Sequence, residues 1–276
     1  MDHPNRIDVT SLDHDLLKPY LEMRFRNWTR LSGIFIAEGP LLVERLIRSQ
    51  QEIESVLLDR KYLQHYLTLV PRRVPVLVVE HDQVEEIVGF NFHRGVLACG
   101  RRPPLRNLLD VAPLQSSSET WVGLMGVQDP ENVGGILRSA AGLGVKRVLI
   151  GPGTADPFSR RALRVSMGNV LALELYESRQ PARDLGKLRQ LGVECVATAL
   201  TEDALPLESS NRSGPLMILV GNEKHGLPAD LLAQADRRVR IDMLQNTDSL
   251  NVSVAAAITM YHFVRLGQAH PRGVID

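Results

Sequence analysis

The sequence predicts a two-domain α/β protein, and three observations carry that expectation. The chain has 276 residues, enough for two domains that each bury a core. Short apolar runs alternate with amphipathic helical stretches along its length. Between the halves lies RRPPLRNLLDVAPLQSSSE, residues 101–119, whose prolines, serine run and basic start suit an interdomain linker. The expected division is therefore a first domain over 1–100, a linker over 101–119 and a second domain over 120–276.

In the first half, Leu16, Leu17, Leu21 and Phe25 fall at helical spacing and predict a leading helix over 10–30. A short strand follows at 33–37, then an amphipathic helix at 40–49 (PLLVERLIRS), then strands at 55–58, 74–79 and 96–99. This alternation makes a small α/β domain. The second half opens on the apolar run 121–127 (WVGLMGV), and further strands are expected at 146–150, 170–174, 193–199, 216–220 and 239–241. These runs are continuous rather than alternating, which predicts a parallel sheet covered on both faces.

Composition excludes several classes. Hydrophobic content is 44%, charged content 23% and net charge zero, so no global basic field announces a nucleic-acid partner. Arginines do cluster locally, at Arg24, Arg26 and Arg30, at Arg101, Arg102 and Arg106, at Arg160, Arg161 and Arg164, and at Arg237, Arg238 and Arg240. Most such clusters are solvated faces. Arg160, Arg161 and Arg164 (SRRALRVSMG) are the candidates for phosphate contact. Cys99 and Cys195 are the two cysteines, without metal-ligand spacing, so neither a disulfide framework nor a zinc site is expected. The polar start MDHPNRIDVTSLDHD is no signal peptide, and no apolar run approaches the roughly 20 residues of a membrane helix. A cytoplasmic protein without membrane or metal partners is expected.

Three stretches concentrate chemistry. In DPENVGGILRSAA (129–141), Asn132 can cap a helix that Gly144 closes. Gly134 and Gly135 in its first turns each cost about 1 kcal/mol relative to alanine, so close approach of a backbone or ligand should compensate. Arg138 is either a surface cation or a fork of donors for an anion or hydroxyl. In LVGNEKHGLP (219–228), a strand enters a glycine-bounded polar loop and then a helix with Pro228 in its first turn. GNEKHG lacks the Lys-Ser/Thr pair of a P-loop, and no GxGxxG occurs. In IDMLQNTDSLNVSV (241–254), Asp248 or Ser249 can cap the last helix, which runs to about Gly267. Capping explains one polar residue; Gln245, Asn246, Thr247 and Asn251 remain, and free N–H groups at the helix start favour an electron-rich ligand. Ser166 lacks the first glycine of a nucleophile elbow, no HExxH occurs, and His93 and His225 are isolated.

Taken in order, DPENVGGILRSAA, LVGNEKHGLP and IDMLQNTDSLNVSVAAA resemble the three motifs of the SpoU/TrmH family, SPOUT-class RNA ribose 2′-O-methyltransferases. The resemblance spans about residues 121–267, and FIAEGPLLVERL (35–46) with HRGVLA (93–98) is similar to the family's N-terminal RNA-binding domain, akin to certain ribosomal proteins. It implies a C-terminal parallel-sheet domain tied into a deep trefoil knot, although knots are nearly absent from other folds. It implies S-adenosyl-L-methionine (SAM) as cofactor, cradled by the loops 221–228 and 241–250, and a homodimer acting on rRNA or tRNA. Gly221, Ile241 and Leu250 match positions whose backbone binds the cofactor, and Met243, Ser249 and Ala199 complete its pocket. Asn132, Arg138, Glu223 and Asn251 fall on catalytic-motif positions. Arginine resists deprotonation, with a pKa above about 12. Arg138 is therefore expected to grip a phosphate or hydroxyl and stabilise developing alkoxide charge, with Asn132, Glu223 and Asn251 orienting it.

Two positions depart from the family. Many relatives have proline after the motif-three isoleucine and glycine three residues later, where this chain has Asp242 and Gln245. A non-catalytic RNA-binding or ribosome-assembly protein is the rival reading, and a Rossmann-type nucleotide enzyme is disfavoured by the missing glycine fingerprint.

Overall fold

The computed structural model describes residues 3–24, 28–89, 95–111, 114, 116, 118–245 and 248–266. Phe25, Arg26, His93, Asn246, Thr247 and Gly267, all named above, lie outside the described residues. The chain folds as two compact units, one of residues 1–104 with 157–171 and one of 105–156 with 172–276.

The first unit contains β1 (Arg6–Asp8), α1 (Lys18–Leu21), α2 (Trp28–Leu31), β2 (Ile34–Glu38), α3 (Pro40–Arg48), β3 (Ile53–Asp59), α4 (Leu63–Leu69), β4 (Val76–Val79), α5 (His81–Val88) and β5 (Val96–Arg101). Its five-stranded sheet is mixed, in the order β1-β4-β3-β5-β2, with β5 antiparallel to both neighbours. Gly39 takes φ 91° before α3, and Pro40 starts the helix with its φ already suited, so Leu42, Val43 and Leu46 turn inward. Tyr20, fully buried, donates from its hydroxyl to the Ser55 carbonyl (3.0 Å) and accepts from the Cys99 N–H (3.1 Å). That phenol ties the leading segment to β3 and β5. The expected single helix over 10–30 is instead broken: 3₁₀ turns at Asp15–Leu17 and Glu22–Arg24 flank the four-residue α1. Pro19 is the reason, since it has no N–H to continue a helix from the preceding turn and is tolerated only in a first turn.

The second unit contains β6 (Arg106–Asn107), β7 (Thr120–Leu124), α6 (Pro130–Leu143) and β8 (Arg147–Ile150). The short helix α7 (Arg160–Val165) then belongs to the first unit, before β9 (Glu174–Glu177), α8 (Pro181–Gln190), β10 (Glu194–Thr198) and β11 (Leu205–Pro206). The unit ends with β12 (Leu216–Val220), α9 (Ala229–Gln234), β13 (Arg237–Arg240) and α10 (Val252–Tyr261), extended by a π-helical turn over His262–Leu266. All eight strands are parallel, in the order β11-β13-β10-β12-β7-β8-β9-β6. Trp121, Leu149, Cys195, Met217 and Leu219 point to one face, against Leu185 and Leu188 of α8 and Leu231 of α9. Their neighbours Val122, Val148, Val196 and Ile218 are equally buried on the opposite face, where α10 packs on β12 and on α6. Burial on both faces is the arrangement that the continuous apolar runs predict.

Residues 170–174 do not form the expected strand. A turn at Met167 (φ 53°) and Gly168 (φ 78°) leads into a 3₁₀ turn over Asn169–Ala172, and the strand starts at Glu174. The Gly168 position explains part of this: an added Cβ would stand 2.4 Å from the Leu42 side chain, so the chain here is packing against α3. Among the described residues no helix is long and apolar enough to cross a membrane. Both cysteines are free and buried, and burial pushes the Cys195 thiol up to about 12, which keeps it inert as a nucleophile.

Candidate functional site

The loops after β12 and β13 meet α6 and α10 at the carboxyl side of the sheet, and each is shaped by its own sequence. Residues 222–226 close a tight hairpin: Asn222 and Gly226 exchange N–H···O bonds of 2.9 Å each, with Gly226 at φ 66°. The Asn222 carboxamide oxygen accepts from the Lys224 and His225 N–H groups (3.0 and 3.1 Å). Its Nδ2 donates to the Gly126 carbonyl (2.8 Å). Only glycine fits at 221, because an added Cβ would lie 2.3 Å from the Gly226 carbonyl carbon.

Glu223 reaches from this hairpin to the start of α6. Its carboxylate accepts from the N–H groups of Gln128 (3.2 Å) and Asp129 (3.1 Å) and from Asn132 Nδ2 (2.9 Å). Burial pushes this carboxyl up, but the Asn132 bond and the backbone bonds outweigh it and hold the group below its ordinary range. It is an anion at neutral pH with its lone pairs engaged, which makes it a clamp rather than a base. Asn132 is buried, and its Oδ1 accepts from Asn251 Nδ2 (2.8 Å). Asn251 Oδ1 in turn accepts from the Ser253 N–H (2.8 Å) and hydroxyl (2.6 Å). One continuous polar chain, Glu223–Asn132–Asn251–Ser253, thus joins the three motifs.

The helix caps differ from expectation because of this chain. Asp129, not Asn132, caps α6 by accepting from the Glu131 N–H (2.8 Å), with Pro130 next in line. Asn251, not Asp248 or Ser249, caps α10. Asn132 is spent on Glu223 and Asn251 across the fold. Gly144 does close α6, at φ 85°. Gly135 has the close approach its cost demands: an added Cβ would lie 3.1 Å from Ser253 Cβ, so α6 and α10 pack with almost nothing between them.

A cavity of about 420 Å³ lies beside this chain. It brings together all six expected cofactor residues, Ala199, Gly221, Ile241, Met243, Ser249 and Leu250, with Glu223 and Asn251 on its wall. Thr198, Lys224 and Thr259 also line it and were not singled out by sequence, as does Arg240, which sequence marked only as one of an arginine cluster. Lys224 and Arg240 lie in stretches already marked, but nothing local says that they face a cavity. The volume and the mixture of apolar wall, backbone groups and a few charges suit a nucleoside-bearing cofactor. The residues present fit SAM: apolar side chains for a base, and cations and anions for an amino-acid tail.

Arg138 stands apart. It is exposed on α6, lines none of this cavity, and has no hydrogen bond or ion pair among the described residues. The hydrogen bonds of Asn132, Glu223 and Asn251 go to one another, to backbone, to Ser253 and to Asn222, and among the described residues none reaches Arg138. Arg160 is ion-paired with Glu38 (2.8 Å) within the first unit, while Arg161 and Arg164 are exposed on α7.

The two departures in the 241–250 loop have structural counterparts. Asp242 accepts from Arg240 Nε (2.7 Å) in an ion pair. Gln245 sits at φ 58°, the left-handed region that glycine enters without strain.

Among known proteins, the sequence model of the SpoU rRNA Methylase family matches residues 119–261. The 23S rRNA (guanosine(2553)-2′-O)-methyltransferase RlmP of Bacillus subtilis is 36% identical over 258 residues, 92% of this chain and 98% of its own. The 23S rRNA (guanosine-2′-O-)-methyltransferase RlmB of Acinetobacter baylyi is 32% identical over 211 residues, 75% of this chain and 85% of its own. An rRNA methyltransferase from Sinorhizobium meliloti, solved with AdoMet bound, matches with a TM-score of 0.83 at 27% identity, over 95% of this chain and 98% of its own.

Proposed function

This chain belongs to the SpoU rRNA Methylase family, and from that premise we propose how its residues divide the work. The protein is an RNA ribose 2′-O-methyltransferase that uses SAM and acts on rRNA or tRNA. SAM supplies a methyl group activated by its sulfonium. The cavity between the 221–228 and 241–250 loops holds it, with Gly221, Ile241 and Leu250 offering backbone groups and Ala199, Met243 and Ser249 closing the walls. The single observation that supports this assignment is the chain Glu223–Asn132–Asn251, which fastens all three motifs at the edge of one cavity.

Glu223 and the two asparagines act as positioning residues. They hold the hairpin, the start of α6 and the start of α10 in one geometry, and alignment of hydroxyl and methyl accounts for much of the rate. Arg138 is the group that meets the RNA: exposed, and unpaired among the described residues, its guanidinium grips the target phosphate or hydroxyl and stabilises charge as the 2′-oxygen loses its proton. Arg138→Ala should abolish most transfer with SAM affinity kept, and Arg138→Lys should restore little; full activity of the alanine variant would contradict the role.

The first unit is the RNA-binding domain in this reading, with Arg161 and Arg164 as phosphate contacts and Arg160 restrained by Glu38. The second is a trefoil-knotted domain that pairs with a second copy. An apolar stripe on α10, Val254, Ile258 and Tyr261 at 46%, 39% and 50% exposure, supports the homodimer. Calorimetry with SAM, sedimentation, and methyl transfer into RNA from cells lacking the protein test the whole. RNA binding with neither binding nor consumption of SAM would favour the ribosome-assembly alternative.

A further inference from the structure

A second cavity lies at the point where the parallel sheet changes direction. Strands β7 and β12 are neighbours, yet the chain leaves β7 toward α6 on one face and β12 toward α9 on the other. Loops that part in this way open a crevice beyond the carboxyl ends of the strands, where open α/β sheets bind ligands. Here it measures about 430 Å³ and is lined by Met125 and Gly126 after β7, Pro152 after β8, Pro181, and His225 and Asp230 after β12. The cofactor cavity lies elsewhere, among the loops after β10, β12 and β13. One wall is common to both: Asn222 and Gly226, the two ends of the hairpin, line each of them.

The lining has two characters. Pro152 and Pro181 present apolar surface against which a planar ring can lie, beside the buried Met125. The side chains of His225 and Asp230 are exposed and have no hydrogen-bond or ion-pair partner among the described residues. A base and its own 2′-hydroxyl are carried on one sugar, so a site one hairpin away from the methyl donor suits the base of the acceptor nucleotide. RNA enzymes and readers take such bases unstacked and recognise them on their Watson–Crick edges. A carboxylate is an acceptor only. Guanine alone offers two adjacent donors on that edge, N1–H and the N2 amino group; adenine, cytosine and uracil each offer one donor there.

We propose that this cleft receives the base of the nucleotide whose ribose is methylated, and that Asp230 selects guanine by accepting from N1–H and N2–H. The proposal rests on the RNA 2′-O-methylation reading above.

The test is transfer of labelled methyl from SAM into RNA prepared from cells lacking the protein, followed by digestion to nucleosides. The wild-type product should be 2′-O-methylguanosine. Asp230→Asn should lower kcat/KM for RNA roughly 10- to 100-fold, the range of one lost bidentate contact, with SAM affinity and melting temperature unchanged. His225→Ala, outside any helix, should act in the same direction more weakly. Inosine in place of the target guanosine should cost the wild type a similar factor and the Asp230→Asn variant much less. A different methylated nucleoside, or an Asp230→Asn variant with wild-type kinetics, would overturn the base-selection proposal while leaving the methyltransferase reading intact. Absence of transfer by the wild type would instead overturn that reading, and this proposal with it.

Discussion

The two loops that border the cavity of about 420 Å³, 221–228 and 241–250, are held in different ways. The 221–228 loop is over-determined: a two-bond hairpin, an asparagine that caps it from within and a carboxylate that clamps it to α6. Among the described residues of the 241–250 loop, Asp242 is ion-paired with Arg240 and Gln245 takes left-handed backbone. A wall held by this many bonds is fitted to fix the geometry of what lies against it. Preorganisation therefore resides in the 221–228 loop, and damage there should cost far more than damage across the cavity.

The largest break should come from Gly221→Ala. Its Cβ would overlap the backbone of residues 226 and 227, so the hairpin must move and SAM affinity should fall at least about 100-fold, the scale of the largest single-mutant effects. Calorimetry reads this directly. Next, Glu223→Gln keeps the size but removes the charge and presents an amide to donors; methyl transfer should drop roughly 10- to 30-fold, as expected for lost charged hydrogen bonds. The same clamp predicts a pH dependence. Because the folded Glu223 carboxyl titrates below its ordinary 4.5, its stabilisation is complete above that value and is lost as pH falls through the folded value. Thermal melts of wild type and Glu223→Gln should therefore differ at neutral pH and converge in acid.

Across the cavity the effects should be small. Asp242→Ala removes a half-exposed ion pair, worth about 0–1 kcal/mol, and salt should erase the difference. Gln245→Gly relieves strain of about 1–2 kcal/mol but returns much of it as backbone entropy, so stability should change by less than about 1 kcal/mol. A Gln245→Gly effect on SAM binding as large as that of Gly221→Ala would reverse the comparison.

What sequence conveyed follows the same division. The glycines at 221 and 135 and the polar cluster at 241–251 leave local marks, because close approach and helix starts restrict residue type. The six cofactor candidates, which come from the family resemblance and not from those marks, line one cavity. The caps were misassigned because Asp129 and Asn132 are equally good caps locally, as are Asp248, Ser249 and Asn251. What separates them is Glu223, 91 residues beyond Asn132 in the chain. Arg138 kept its place in the motif but not the expected partners, since nothing in a one-dimensional spacing reveals that its neighbours satisfy one another. The leading helix and the strand over 170–174 failed where Pro19 and the Met167–Gly168 turn overrode apolar spacing. The cleft at β7 and β12 is assembled from four separate stretches, at 125–126, 152, 181 and 222–231, so no single motif announces it.

The most direct test of the central claim, that the polar chain joining three motifs builds the methyl-transfer site, is Asn132→Ala. Its rate of 2′-O-methyl transfer into RNA from cells lacking the protein should be measured beside wild type, together with its melting curve. Transfer by the wild type and a loss of at least about 100-fold in a folded variant, the scale on which misplaced reacting groups act, is the expected result. Undiminished transfer by Asn132→Ala would contradict it.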